Sequence, residues 1–241
     1  MSRLGTQVRT EVQLVLRNGE QLLLTLGIPV MLLVFFSLVE VLPTGTDDPI
    51  DFLAPGILAL AVMSTSMVSL GIGTGFERAY QVLKRLGATP LGRGRLIAAK
   101  ILSVVLVELI QLAILLPVAY ALGWEPTDPN WLLALVAIVL GTIAFAGIGL
   151  SLAGRLRGEI NLAAQNGIYL VLLLLGGMVI PFDELPAAVQ AVARLLPSGA
   201  LADVLRESLT HAGDRPGTSW IVLAAWALVS PLVARRLFRF E

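Results

Sequence analysis

Residues Phe76–Lys100, FERAYQVLKRLGATPLGRGRLIAAK, place six basic side chains between two long apolar stretches that carry almost none. Because Lys and Arg beside membrane-spanning helices stay in the cytosol, a cluster of this kind fixes the orientation of the helices on both sides of it. Phe76, Tyr80, Leu83 and Leu86 fall on or near one face of a helix. The stretch therefore predicts a short amphipathic helix on the cytosolic side of a membrane.

The composition of the whole chain indicates a membrane protein. Hydrophobic residues make up 56% of its 241 positions, charged residues make up 14%, and the mean hydropathy is +0.85. In an average soluble domain, hydrophobic residues make up roughly 45–50% and charged residues about 25%. The absence of cysteine excludes disulfides, thiolate catalysis and cysteine metal sites. The single histidine, His211, is too few for an ordinary zinc site, so no metal is expected.

Six windows are long enough to cross a bilayer, which takes about 20 apolar residues in a helix. Five contain a long run without Asp, Glu, Lys or Arg, and the third contains Lys100 near its start and Glu108 inside it. The sequence thus predicts an all-α polytopic protein with one transmembrane domain over 1–241. The predicted spans are about 21–42, 52–76, 97–122, 129–154, 160–182 and 216–234.

The distribution of basic residues predicts the orientation of these spans. With both termini in the cytosol, fourteen of the seventeen Lys and Arg lie in cytosolic segments. Only Arg194, Arg206 and Arg215 then lie outside. The excess of positive charge on one side favours cytosolic N and C termini. The first apolar run is too long for a cleaved signal peptide, and no Ala-x-Ala site follows it.

Two further segments are amphipathic but too short to cross. Over 3–18, Val8, Val12 and Val15 share one helical face, which is typical of a helix lying in the membrane interface. Over 184–210, a short apolar stripe ends at Pro197 and a second short helix follows from about residue 200. The second segment predicts an outer helical hairpin that is shallow in the membrane or caps it.

These features together resemble the type 2 permease family of ATP-binding cassette (ABC) exporters. In that family the second span runs into a Glu-Arg pair, a Leu and a Thr-Pro turn, and the outer hairpin carries a Pro followed by an Arg. The family often has Gly where this chain has Gln81. The matching residues here are Glu77, Arg78, Leu83, Leu86, Thr89, Pro90, Arg93 and Lys100, with Pro197 and Arg206 in the hairpin.

The resemblance implies a transmembrane subunit of an exporter that forms the path for an amphiphilic substrate such as a drug, a lipid or a glycan. It implies a second permease, identical or related, and two copies of a separate ABC ATPase. ATP and Mg would then be bound by that ATPase, and no cofactor by this chain. The implied location is a bacterial-type plasma membrane, with no nucleic-acid partner.

The chain itself offers one pattern that imitates a nucleotide-binding loop. Gly87 and Gly92 have the spacing of G-x-x-x-x-G-K-[ST], but Arg93 replaces the Lys and Gly94 replaces the metal-binding hydroxyl. No strand precedes the pattern, and an ordinary turn at Pro90 explains the glycines. ATP hydrolysis is therefore expected in a partner chain.

Two cytosolic segments are candidate contacts for that ATPase, because a motor must push on a stiff element. The alternative interpretation is a solvated basic loop that only holds topology. The candidate coupling residues are Phe76, Glu77, Arg78, Tyr80, Leu83, Lys84 and Arg85 after the second span, with Arg155 and Arg157 between the fourth and fifth.

Polar residues inside the spans are candidates for a substrate path. Glu108 is costly if it faces lipid, so it is expected to face the bundle, where Gln111 lies one turn away as a hydrogen-bond partner. Asn161, Gln165 and Asn166 at the start of the fifth span either line a polar cavity or cap the helix.

Two other classes of function remain beside the exporter subunit. A proton-coupled secondary carrier would use Glu108, although six spans without visible inverted halves are few for that class. An intramembrane enzyme would need clustered acids, an activated nucleophile or metal ligands at membrane depth, and the sequence contains none.

Overall fold

The computed structural model describes residues 3–19, 23–39, 49–87, 92–126, 128–211, 213 and 216–237. Every regular element in these ranges is helical, which confirms the predicted all-α class. Thr89, Pro90 and Asp48 lie outside the described residues, as do Thr127 and Arg215.

The helices are labelled in chain order. They are α1 (Arg3–Arg17), α2 (Ile28–Leu38), α3 (Pro49–Ala79), α4 (Val82–Gly87), α5 (Gly92–Ala121), α6 (Trp131–Ala153), α7 (Gly158–Leu175), α8 (Ala187–Ala193), α9 (Pro197–Thr210) and α10 (Pro216–Leu237). A π-helical turn, Leu23–Gly27, precedes α2, and a second one, Ser64–Ser69, interrupts α3 at its middle.

Five of these helices are long and apolar enough to span a membrane, and the bent pair α8–α9 makes up to six. The five correspond to the second to sixth predicted spans, so the chain is a multi-pass membrane protein. The first predicted span, 21–42, is represented by a shorter apolar helix, Thr25–Leu38. Residues 20–22 and 40–48 of that region lie outside the described residues.

Helix α3 forms the centre of the bundle. Its apolar window is 89% buried, against 22–50% for the other four long helices. Small side chains such as Ala59, Ala61 and Ser66 let neighbouring helices approach on every side of it. In the π-turn, the hydroxyl of Ser66 donates back to the carbonyl of Val62, so this buried hydroxyl is satisfied within its own helix.

The fifth predicted span, 160–182, ends earlier than expected. Helix α7 stops at Leu175 because Gly177 adopts a φ of +62°, a conformation that ends a helix and favours glycine. The released carbonyls of Gly177 and Met178 accept hydrogen bonds from the guanidinium of Arg206, at 2.5 and 3.3 Å. The break in α7 thus supplies the acceptors for a buried cation.

The hairpin after α7 packs its second helix into the bundle. Its two helices meet at 82°, and α9 begins at Pro197 itself because Pro is well suited to a first helical turn. Helix α9 is buried along almost its whole length against α3, α6 and α10. Arg206 lies within it and places its guanidinium 3.7 Å from the ring centre of Phe52.

The two ends of the bundle differ in charge. One end, here called the basic end, is formed by α1, the C-terminus of α3, α4, the N-terminus of α5, the α6–α7 loop and the C-terminus of α10. It carries Arg78, Lys84, Arg85, Lys100, Arg155, Arg157, Arg235 and Arg236. The hairpin lies at the opposite end, where Arg206 donates to the carbonyl of Phe52 near the start of α3.

Candidate coupling site and polar membrane interior

The segment after the second span is two helices joined by a tight turn, rather than the single helix that the sequence predicts. Helix α3 continues to Ala79, Tyr80 and Gln81 form the turn, and α4 follows. Gln81 has a φ of +59°, the left-handed conformation that glycine adopts at no steric cost. The chain therefore makes the tight turn with Gln rather than Gly at this position.

Helix α4 has one anchored face and one exposed face. Leu83 is buried, whereas Lys84 and Arg85 are exposed. The ring of Tyr80 is 69% exposed and stacks on the ring of Phe76, with 6.1 Å between their centres. The element is thus fixed to the bundle through Leu83 and presents an aromatic ring and two cations to the surroundings.

Glu77 and Lys100 lie in an ion cluster that ties three helices together. The Lys100 ammonium lies 2.6 Å from a carboxylate oxygen of Glu77 on α3 and 3.1 Å from Glu11 on α1. The side chains of Lys100, Glu11 and Glu77 are 8%, 11% and 21% exposed. Glu77 therefore contacts its own chain, so its replacement is expected to disturb the packing of α3 against α5.

Arg78 joins the two predicted coupling segments. Its guanidinium donates to the carbonyl of Gly154 at 3.0 Å and to that of Leu156 at 2.7 Å. Carbonyls at a helix C-terminus lack intrahelical partners and carry partial negative charge, so a cation stabilises them. Arg155 and Arg157 flank this contact and are exposed. The structure thus brings the α6–α7 loop beside the end of α3, close to the turn that leads into α4.

Glu108 and Gln111 are both buried in the bundle, but they do not pair as predicted. The hydroxyl of Thr142 on α6 donates to Glu108 at 2.8 Å. Gln111 accepts from the hydroxyl of Thr65 at 2.8 Å and donates to the carbonyl of Thr25 at 2.5 Å. The two side chains share one helix but face different neighbours, so their hydrogen bonds connect α5 to α6 and α5 to the π-turns.

The three amides of α7 separate into two groups. Asn161 donates to the carbonyl of Gly71 and Gln165 to that of Gly149, both at 2.9 Å. The two side chains also contact each other at 3.3 Å, so they hold the backbones of α3 and α6 together. Asn166 is exposed on the other side of α7. The structure therefore does not bring the five predicted path residues to one cavity.

The close approach of α3 and α7 explains the glycines of the second span. A Cβ built on Gly71 would lie 2.1 Å from the amide nitrogen of Gln165, and one on Gly75 would lie 2.3 Å from that of Asn161. This spacing of four residues therefore serves packing within the chain.

Glu11 was missed by the sequence analysis although the sequence contains a signal for it. It is the one acidic residue of 3–17 and lies on the same helical face as Val8 and Val15. A carboxylate buried on the apolar face of a helix needs a cation as its partner, because an unpaired buried charge is costly. Lys100 lies near the start of a predicted span and needs an anion for the same reason. No group of three potential metal-ligating side chains occurs among the described residues.

Comparison with known proteins agrees with this architecture. The chain is 24% identical to the "Putative transport permease YvfS" of Bacillus subtilis, over 99% of this chain and 98% of that protein. It is also 24% identical to the "Probable multidrug ABC transporter permease YbhS" of Escherichia coli K12, over 68% of this chain, and the match covers 44% of that longer protein. The family model described as "ABC-2 type transporter" matches residues 3–210, so the chain belongs to the ABC-2 type transporter family.

Proposed function

We propose that this chain is the membrane-spanning half of an exporter for an amphiphilic compound, driven by a separate ABC ATPase that docks on α4 and the α6–α7 loop. The observation that carries the proposal is the geometry of α4. It exposes Tyr80, Lys84 and Arg85 and is joined through Gln81 to α3, the most buried helix of the bundle.

The contacts of the basic end make α4 suitable for transmitting force. Leu83 anchors α4 in the bundle, and Arg78 links the end of α3 to the end of α6. A push on the exposed face of α4 would therefore reach α3 and α6 together, because packed helices move as stiff bodies rather than deforming locally. Arg155 and Arg157 extend the same surface, so one partner can contact both segments.

The partners follow from the same proposal. Two copies of the ATPase would bind ATP and Mg, and two permease chains, identical or related, would enclose the path. The relative named as a probable multidrug permease supports a drug-like amphiphile as the substrate class. Export from a bacterial cytosol is the proposed direction, with both termini on the cytosolic side.

The coupling role is tested by reversing charge on the exposed face of α4. The Lys84→Glu/Arg85→Glu double variant should reach the membrane at the normal level and lose most of the ATP-dependent transport, because an interface with two reversed charges repels its partner. The Arg9→Glu/Arg17→Glu double variant changes net charge equally on exposed positions of α1 and should transport normally. Full transport by the α4 variant at normal membrane level would exclude this docking site.

A proton-coupled carrier is the second candidate, and it rests on Glu108. One oxygen of this buried carboxyl accepts from Thr142, and the other has no hydrogen-bond partner among the described residues. Such a group can hold a proton. Transport that stops with an uncoupler and continues when the partner ATPase is inactivated would establish the carrier, whereas the exporter predicts the opposite pair of results.

A further inference from the structure

A cleft of about 350 Å³ opens on the side of the bundle near the basic end. Helices α3, α4, α5, α6 and α10 form its walls, with Leu70, Leu96, Ala146 and Ala234 among the apolar side chains that line it. Ile101 and Ile143 at its edge are 43% and 39% exposed. Because these edges belong to spanning helices, the cleft opens toward the lipid.

The charged residues of the cleft lie at one end. Among its lining residues only Lys100 and Arg235 are charged, and no carboxylate lines it. Lys100 is already balanced by Glu11 and Glu77 on its far side. Arg235 is exposed in the last turn of α10, where the cleft reaches the end of the bundle. The cleft thus combines an apolar interior with a cation at its mouth.

The interior extends along α6 from Leu150 to Thr142. Eight residues of helix at about 1.5 Å each give a depth of about 12 Å. On the opposite wall, Thr74 is 1% exposed, and its hydroxyl has no hydrogen-bond partner among the described residues. A buried donor of this kind is costly unless an acceptor enters the cleft. The shape therefore suits a chain that is mostly apolar and carries an oxygen near its polar end.

We propose that this cleft binds one acyl chain of an anionic phospholipid from the cytosolic leaflet, with the headgroup phosphate at Arg235 and an ester oxygen within reach of Thr74. Basic pockets between spanning helices on the cytosolic side recognise anionic headgroups, because that leaflet carries the negative lipids. The lipid site rests on the proposed orientation, which places Arg235 in the cytosol, and it is independent of which compound is exported.

Lipid binding by the full-length chain tests the proposal directly. The purified protein is equilibrated in detergent with equal amounts of phosphatidylglycerol and phosphatidylcholine of the same acyl chains, and the bound lipids are counted by native mass spectrometry. The unmodified chain should retain phosphatidylglycerol in preference. Arg235→Ala should lower that preference by about fivefold, since one basic residue contributes about 1 kcal/mol to the attraction.

Arg236→Ala is the matched control, because Arg236 is the exposed neighbour of Arg235 and does not line the cleft. It should leave the preference within about twofold of the unmodified protein, since headgroup attraction falls off with distance from the charge. Equal losses in the two variants would overturn the site, because they would show only a diffuse attraction to the basic end.

A variant that fills the cleft provides an independent test of the lipid site. Ala146→Phe should reduce retention of both lipids, since the added ring occupies the space of the acyl chain, and unchanged retention in a folded variant would overturn the proposal. If this variant does not fold, Ile101→Ala at the exposed edge is measured instead. It should weaken retention of both lipids equally, and unchanged retention would overturn the proposal. Both readouts are lipid counts, so they are separate from the transport measurement that tests the coupling role.

Discussion

At the scale of single residues, the polar side chains of this protein connect helices rather than line one common path. Arg78, Lys100 and Asn161 each contact a helix or loop distant in sequence. A buried polar group without a partner is costly, so every such contact also selects one arrangement of the helices. The residues with exposed polar groups, such as Lys84 and Arg85, are the ones left for contact with other molecules.

Gln81 is a residue whose backbone conformation is strained. A non-glycine residue at a φ of +59° costs roughly 1 kcal/mol relative to glycine, because its Cβ crowds the neighbouring carbonyl oxygen. Gln81→Gly should therefore raise the free energy of unfolding by about 1 kcal/mol, measured by thermal unfolding in detergent. Gly123→Ala, at a φ of +95° with open space around it, should lower stability instead. A less stable Gln81→Gly protein would contradict the strained turn.

Gln111 and Glu108 are expected to differ in their importance for stability. Gln111→Met removes hydrogen bonds to Thr65 and to the Thr25 carbonyl and should cost about 1–3 kcal/mol. Glu108→Leu removes a buried carboxyl, and the hydroxyl of Thr142 still has the carbonyl of Ile138 at 2.9 Å as an acceptor. Its cost should stay below about 1 kcal/mol, because a buried charge is itself unfavourable. If Glu108→Leu lowered the unfolding temperature more than Gln111→Met, the hydrogen bond of Glu108 would be the more important one for stability.

At the scale of elements, the dominant contacts are those of α3 with the helices around it. Small residues occur where another backbone approaches, and polar residues fasten the approach from the other helix. Where α3 passes the break after α7, Gly56 lies against the carbonyl of Met178, which Arg206 also binds. The unwound stretch, the buried cation and the glycine are therefore one structural unit.

Two glycines of α3 give a matched test of this packing. A Cβ on Gly56 would lie 2.0 Å from the Met178 carbonyl oxygen, so Gly56→Ala forces backbone movement and should cost about 1–3 kcal/mol or more. Gly73 has no atom within 4 Å of the same position, and Gly73→Ala should stabilise the helix by about 0.5–1 kcal/mol. The unfolding temperatures of the two variants test these expectations. An unchanged unfolding temperature for Gly56→Ala would contradict the close approach of Gly56 to the Met178 carbonyl.

At the scale of the whole molecule, charge is separated along the bundle axis. The basic end joins α1, α4, the α6–α7 loop and the last turn of α10, while the hairpin occupies the other end. This separation supports the proposed orientation, because lysine and arginine concentrate on the cytosolic side of membrane proteins. The proposed coupling surface and the proposed lipid cleft lie at the same basic end.

Single cysteines test the orientation, since the natural chain contains none. Glu125→Cys and Asp183→Cys occupy exposed positions at the hairpin end and should react with an impermeant thiol reagent in intact cells. Arg85→Cys and Arg157→Cys occupy exposed positions at the basic end and should react only after the membrane is opened. Labelling of Arg85→Cys in intact cells would reverse the proposed topology.

Much of this architecture could be predicted from the sequence. Hydropathy over windows of about 20 residues located five long helices to within a few residues at most ends, and the motifs after the second span identified the family. The end of α7 was the exception, because Gly177 breaks the helix within an apolar run that hydropathy treats as continuous. The burial of α9 against α3, α6 and α10 could not be predicted, because amphipathic spacing describes one face of a helix and not the helices that cover it.

Only the tertiary structure decided which polar groups meet. Lys100 pairs with Glu11, 89 residues earlier, and Arg78 reaches the carbonyl of Gly154, 76 residues later. Glu108 and Gln111 are close in sequence, yet they bond to different helices. Hydropathy and charge are properties of short segments and can be summed along the chain, so the sequence by itself determined the spans, the basic side and the family. Partner choice depends on the rotation and depth at which two helices pack, and those are fixed only when the whole bundle forms.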